Sequence, residues 1–191
     1  MDKSGVFDYL DHLKILNLEN YDKMIKHYAN SDLPNSWFVA PFTNCCLDAF
    51  KDYLHFFARV ITFRGLPKIN DIKTEMLFWL QDVNWPGAGE ICYFIRDNFL
   101  DFKDLIIRQI FHALDIEEDL YLKGEKHNDI VWAEALLGQF ADIERNSESK
   151  KIINETFDMF INYNKDDSKM KVLLKENLEK IFTIYPLSNW T

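Results

Sequence analysis

The 191-residue sequence predicts an all-α fold in which antiparallel helix pairs stack as an irregular bundle or a repeat-like array. Three observations carry that prediction. Apolar residues recur every three or four positions through most of the chain, the spacing of one face of a helix. Sixteen Phe, eight Tyr and five Trp supply bulky material for packing helix on helix. Only short pieces such as Trp37-Phe38-Val39 could be extended, so no sheet is expected. A chain of this length buries roughly 70% of the surface it exposes when unfolded, enough for a core without staples. It reads as one domain over 1–191, with N-terminal helices in 1–65 packed on a helical core in 66–191.

The elements follow in order. Two short helices are expected at 4–16 and 19–29. Ser31 to Asn44, with Pro34, Pro41 and no period, is expected to be a boundary loop. Residues 45–63 are apolar on most sides (Leu47, Phe50, Leu54, Phe57, Ala58 and Ile61), which suits a buried helix closed by Gly65 and Pro67. From Asn70 to Val83 the stripe is Ile72, Met76, Trp79, Leu80 and Val83. Those steps fall on one side of a helix and would scatter over both faces of a strand. The next stripe is Ala88, Ile91, Cys92, Ile95 and Phe99, with Pro86 in its first turn, where a missing N–H costs nothing.

Ile106, Ile107, Ile110, Phe111 and Leu114 make a further stripe, and Ile130, Ala133, Leu137, Phe140 and Ala141 another. Between them the acidic stretch from Asp115 to Asn128 reads as a loop. Ser147 is the expected N-cap of a helix carrying Ile152, Ile153, Thr156, Phe157, Phe160 and Ile161. Ser168 is the expected cap of the last helix, whose stripe is Val172, Leu173, Asn177, Leu178, Ile181 and Phe182 with Leu174 beside it, ended by Pro186. From about residue 67 the helices are long and their connections short, which resembles the stacked pairs of HEAT-like repeats, without a repeated signature.

The ten residues from Trp79 to Ala88 read Trp-Leu-Gln-Asp-Val-Asn-Trp-Pro-Gly-Ala. With Leu66-Pro67 upstream and Trp132 downstream, they resemble a family of small bacterial helical domains whose role is not settled. That family's signature is Leu-Pro, then Trp-Leu-Gln-Asp-x-Asn-Trp-Pro-x-Ala, then a later Trp. The likeness covers residues 66–145 and implies a fold but no activity. The chain's small, acidic, helical character also resembles the immunity proteins that bacteria keep against toxins delivered by neighbours. Physically, Trp79 belongs to the buried stripe, while Gln81, Asp82 and Asn84 can bond the free backbone groups of the turn into Pro86. Trp85 can wedge the two helices apart while its indole N–H finds a carbonyl. The alternative is an exposed recognition knob made of Asp82, Asn84 and Trp85.

Signals for chemistry are weak. His12, His27, His55, His112 and His127 fall at no metal-binding spacing, and Asp52 with His55 at i, i+3 is too small a ligand set. A calcium loop beginning at Asp115 would need Gly and Glu where Leu120 and Lys126 stand. Gly87-Ala88-Gly89 lacks the strand and the lysine of a phosphate loop. Cys45, Cys46 and Cys92 make an odd, poorly spaced set, which favours a reducing compartment over a disulfide framework. No catalytic residue, metal or cofactor is therefore expected, and the absence of a signal or a long apolar run points to the cytoplasm.

Charge is the most informative feature. The net formal charge is −9, and residues 67–147 alone carry 16 acidic against 8 basic side chains. Such a field repels nucleic acid and anionic lipid and speeds encounter with a basic protein. The expected function is that of an immunity-type protein neutralising a basic toxin, a nuclease above all, because a cationic nucleic-acid site accepts an acidic mimic. The expected contact residues are Asp115, Glu117, Glu118, Asp119, Glu125 and Asp129, with Trp132 as anchor. The alternative is an enzyme whose site is assembled from distant helices.

Overall fold

The computed structural model describes residues 21–39, 53–115, 127–142 and 146–187, the side chains of 127–129 excepted. Every regular element among them is helical, and the only extended pairing is a single bridge between Ala141 and Pro186. The helices are α1 (Tyr21–Ala29), α2 (Leu54–Arg64), α3 (Leu66–Ile69), α4 (Lys73–Phe78), α5 (Ala88–Asp97), α6 (Phe99–Asp115), α7 (His127–Phe140), α8 (Ser147–Ile161) and α9 (Ser168–Ile184). They form an irregular bundle. α2 packs against both α1 and α5, α7 against α6, and α8 against α9. A continuous apolar core runs from Ile25 of α1 to Tyr185 beyond α9.

The buried faces follow the periodicity, with six corrections. The stretch 70–83 is not one helix but a 3-10 turn (Asn70–Ile72), α4, and a second 3-10 turn (Trp79–Gln81). Ile72, Met76, Trp79 and Leu80 are buried, whereas Val83 lies beyond the last turn and is exposed. Pro86 precedes α5 rather than opening it, because Gly87 is the N-cap residue. Trp37 and Phe38, in the short piece that could have been extended, instead close a 3-10 turn over Asn35–Trp37. The caps of the last two long helices each sit one residue earlier than the serines. The Asn146 carboxamide accepts from the Ser149 amide while the Ser149 hydroxyl receives the Asn146 amide, and Asp167 accepts from the amides of Lys169 and Met170. At the end of α8, Ile161 is exposed although it was expected on the stripe. In α9, finally, Leu174, Leu178, Ile181 and Phe182 form the buried stripe, leaving Val172 and Leu173 in solvent.

The expected loop from Ser31 to Asn44 is described only as far as Val39. Its described part folds around Arg64, which ends α2. The guanidinium donates through Nη1 to the Leu33 carbonyl and the Asn35 side-chain oxygen, and through Nη2 to the carbonyls of Tyr28 and Ser31. It also lies 4.6 Å above the Phe38 ring. Asn35 in turn donates to the Lys68 carbonyl and the Asp71 carboxylate. One cation thus closes the C-terminal end of α1, whose last carbonyls have no helical partner. The expected helix at 4–16 and the first part of the one at 45–63 lie outside the described residues.

Candidate functional site

The motif Trp79 to Ala88 makes the junction between the α4 region and α5. Trp79 is fully buried, and its indole Nε1 donates to the Pro86 carbonyl at 3.1 Å. Asp82 turns the chain, since its carboxylate accepts from both the backbone and the side-chain nitrogen of Asn84, at 2.9 and 3.0 Å. The Trp85 amide then donates to the Asp82 carbonyl, and the Ala88 amide to the Trp85 carbonyl. Trp85 is half-buried against the core, and the indole-to-carbonyl bond of Trp79 is one that the sequence did not single out. Gly87 has φ +86°, and a Cβ there would stand 2.5 Å from the Cβ of Ala58 in α2. The glycine is needed for both reasons, and it sets how closely α5 approaches α2.

Of the residues expected to meet a partner, few are both described and free. Asp115 ends α6, accepting from the Tyr163 hydroxyl at 2.8 Å and lying 3.3 Å from Lys171. Its carboxylate ties α6 to the α8–α9 corner. Trp132, the expected anchor, is 9% exposed and packs into the core, so little of its indole faces outward. Glu117, Glu118, Asp119 and Glu125 lie outside the described residues, as does the side chain of Asp129. The exposed face of α6 carries further acids that composition alone did not single out. Asp101 and Asp104 share it with Arg108, His112 and Asp115, at helical steps of three and four.

A second constellation joins three separated elements. The Tyr21 hydroxyl of α1 lies 3.3 Å from His55 Nδ1 of α2, and His55 Nε2 lies 2.6 Å from Glu90 Oε1 of α5. With Glu90 accepting, Nε2 carries the proton and Nδ1 receives the phenol. Arg59 stands over the Tyr21 ring at 5.6 Å and pairs with Asp22 at 3.3 Å. Burial pushes the Tyr21 hydroxyl above its ordinary range, with Arg59 opposing it, so the phenol is a neutral donor at physiological pH. The row can pass a proton between phenol and carboxylate through the imidazole. Sequence gave no sign of it, because the members stand 34 and 35 residues apart.

The outer side of α5 borders a cavity of about 250 Å³. Ala88, Gly89 and Cys92 line it along the helix, Arg96 and Gln139 lie at one end, and Val83 and Tyr93, 60% and 67% exposed, flank it. Arg96 donates through Nε and Nη2 to the Gln139 carbonyl, at 3.1 and 3.0 Å, capping the end of α7. Both polar atoms of the Gln139 side-chain amide are shut from water without a hydrogen-bond partner among the described residues. Burial raises the Cys92 thiol above its usual range, Arg96 partly offsetting this. Among the described residues no three His, Cys, Asp or Glu side chains are grouped to hold a metal ion, and no helix is long and apolar enough to cross a membrane. No known family, characterised protein or solved structure matches the chain.

Proposed function

We propose that this protein is an immunity-type inhibitor that binds a basic toxin, of the nuclease kind, through the acidic surface of its middle region. The observation that carries the reading is the concentration of charge: 16 acidic against 8 basic side chains in 67–147. Asp101 and Asp104 on the outer face of α6 lead toward the run that begins at Asp115. The side chains that meet the toxin are Glu117, Glu118, Asp119, Glu125 and Asp129, with Asp115 bracing the start of the run rather than joining the contact. Long-range attraction between such a surface and a cationic cleft raises the association rate, which suits an inhibitor that must act before its target does. The cytoplasm is the compartment in which such an inhibitor meets an incoming toxin, and an odd, poorly spaced set of three cysteines suits it.

The test is protection. Cells carrying the chain should survive the toxin encoded beside its gene, and association of the purified pair should slow markedly between low and physiological salt, as the screening length shrinks to about 8 Å. Replacing Glu117, Glu118 and Asp119 together with Ser should abolish protection while leaving the melting temperature nearly unchanged. Full protection by that triple variant would remove the acidic run from the function.

A second reading is favoured by the Tyr21–His55–Glu90 row: an enzyme using His55 as a proton carrier between elements far apart in sequence. His55→Gln would then abolish turnover of a small molecule and leave toxin protection intact.

A further inference from the structure

The cavity beside α5 holds two polar groups that the fold leaves incompletely used. Arg96 spends Nε and Nη2 on the Gln139 carbonyl, and no carboxylate among the described residues lies within ion-pair distance of it. Gln139 Oε1 and Nε2 are shut from water with nothing to bond, an arrangement that costs free energy for each atom until a partner arrives. With no hydrogen bond to hold it, that carboxamide can turn about its side-chain torsions toward the cavity it lines at no loss of partners. Around these groups the surface is apolar: Ala88 and the uncrowded Gly89 along the helix, Val83 and the Tyr93 ring at the edge.

We propose that this cavity binds a carboxylate borne on an apolar body with an N–H beside it, the arrangement of an N-acyl amino acid or of the last residue of a peptide. The carboxylate accepts from Arg96 Nη1 and Gln139 Nε2, the strong charge-assisted case. The adjoining N–H donates to Gln139 Oε1, so the side-chain amide is satisfied at both ends. The apolar side chain rests between Val83 and Tyr93. At about 250 Å³ the cavity has room for one such residue. The site is independent of the acidic run and of the proposed toxin contact.

Cys92 lines the same cavity and reports its occupancy. The experiment follows alkylation of Cys92 by iodoacetamide in the full chain, read on its own peptide by mass spectrometry. The probes are N-acetyl-leucine, N-acetyl-leucinamide, and a pentapeptide ending in leucine with a free or an amidated terminus. The free acids should slow the reaction saturably, and the amides should act at least about tenfold more weakly. Protection by the pentapeptide acid alone assigns the site to a protein C-terminus; protection by N-acetyl-leucine alone assigns it to a free acylated amino acid. Gln139→Leu should weaken the acid's effect by at least about tenfold, and Arg96→Lys, which keeps the charge but loses the fork, should weaken it too. Gln139→Leu should hold or raise the melting temperature, because it removes an unsatisfied amide. No protection by either acid up to about 10 mM, equal protection by acids and amides, or undiminished protection in folded Gln139→Leu would each overturn the assignment.

Discussion

The indole of Trp79 reaches across its own turn to the carbonyl of Pro86, seven residues on, and closes the loop between the second 3-10 turn and α5 with a 3.1 Å hydrogen bond. The ring supplies buried apolar surface and the N–H satisfies a carbonyl that the turn leaves without a helical partner. Trp79→Ala should therefore cost about 3–5 kcal/mol in chemical denaturation. Trp79→Phe keeps much of the bulk and isolates the loss of the bond, at about 1–3 kcal/mol. Trp85→Ala should cost clearly less than Trp79→Ala, since Trp85 is only half-buried. An equal loss at the two positions would show that Trp85 carries the junction as much as Trp79 does.

Gly87 fixes the approach of α5 to α2. Gly87→Ala forces a left-handed φ on an L-residue, at about 1–2 kcal/mol, and drives its methyl into Ala58, adding about 1–3 kcal/mol. Adding Ala58→Gly should recover part of the second loss and none of the first. A double-mutant cycle in denaturant separates them, and absence of any recovery would deny the contact.

Arg64 is the point at which α1, the Asn35 turn and α2 meet. Arg64→Met retains an apolar stem but strands several acceptors, and the loss should reach about 3 kcal/mol or more. Hydrogen exchange should rise first at Tyr28 to Ala29 and Asn35 to Phe38. Uniform loosening of α8 and α9 instead would contradict this local role.

Stability should fall at alkaline pH in two stages. The Cys92 thiol is raised by burial, so the folded state keeps its proton after the unfolded state has lost it. Its contribution is complete below the unfolded value of about 8.5 and is lost as pH rises through the folded one. Tyr21 and Tyr28, raised by burial in the same direction, add a second loss above about pH 10. Melting curves of Cys92→Ala should flatten the first stage only. A parent protein whose melting temperature is unchanged from pH 7 to 10 would contradict the thiol's burial.

Helix faces were legible wherever the apolar stripe ran unbroken, as at Ile91 and Ile95 or Ile106 and Ile110, because neighbours three and four apart share a face regardless of what lies beyond. The last helix shows the limit. Val172, Leu173 and Leu174 are adjacent apolar residues, and periodicity alone could not say which of them turns inward. Capping was legible to within one residue, since Asn146 and Ser147, or Asp167 and Ser168, are chemically equivalent choices until the backbone selects one. Of the candidate site, the acidic character was readable from composition, whereas the bracing of Asp115 by Tyr163 and Lys171 was not.

By itself, then, the sequence determined an all-helical protein, the inward faces of most of its helices, and the place of its charge. These depend on interactions between residues a turn apart or on simple counting, so they survive without knowledge of the fold. Tertiary structure alone decided that Gly87 meets Ala58, that Arg64 gathers the end of α1, that His55 stands between Tyr21 and Glu90, and that Trp132 is core. It also set Arg96 on the Gln139 carbonyl, 43 residues away, and so made the cavity wall. Each of these joins residues far apart in the chain, and only the crossing of packed helices selects them from the many pairings that the same composition allows.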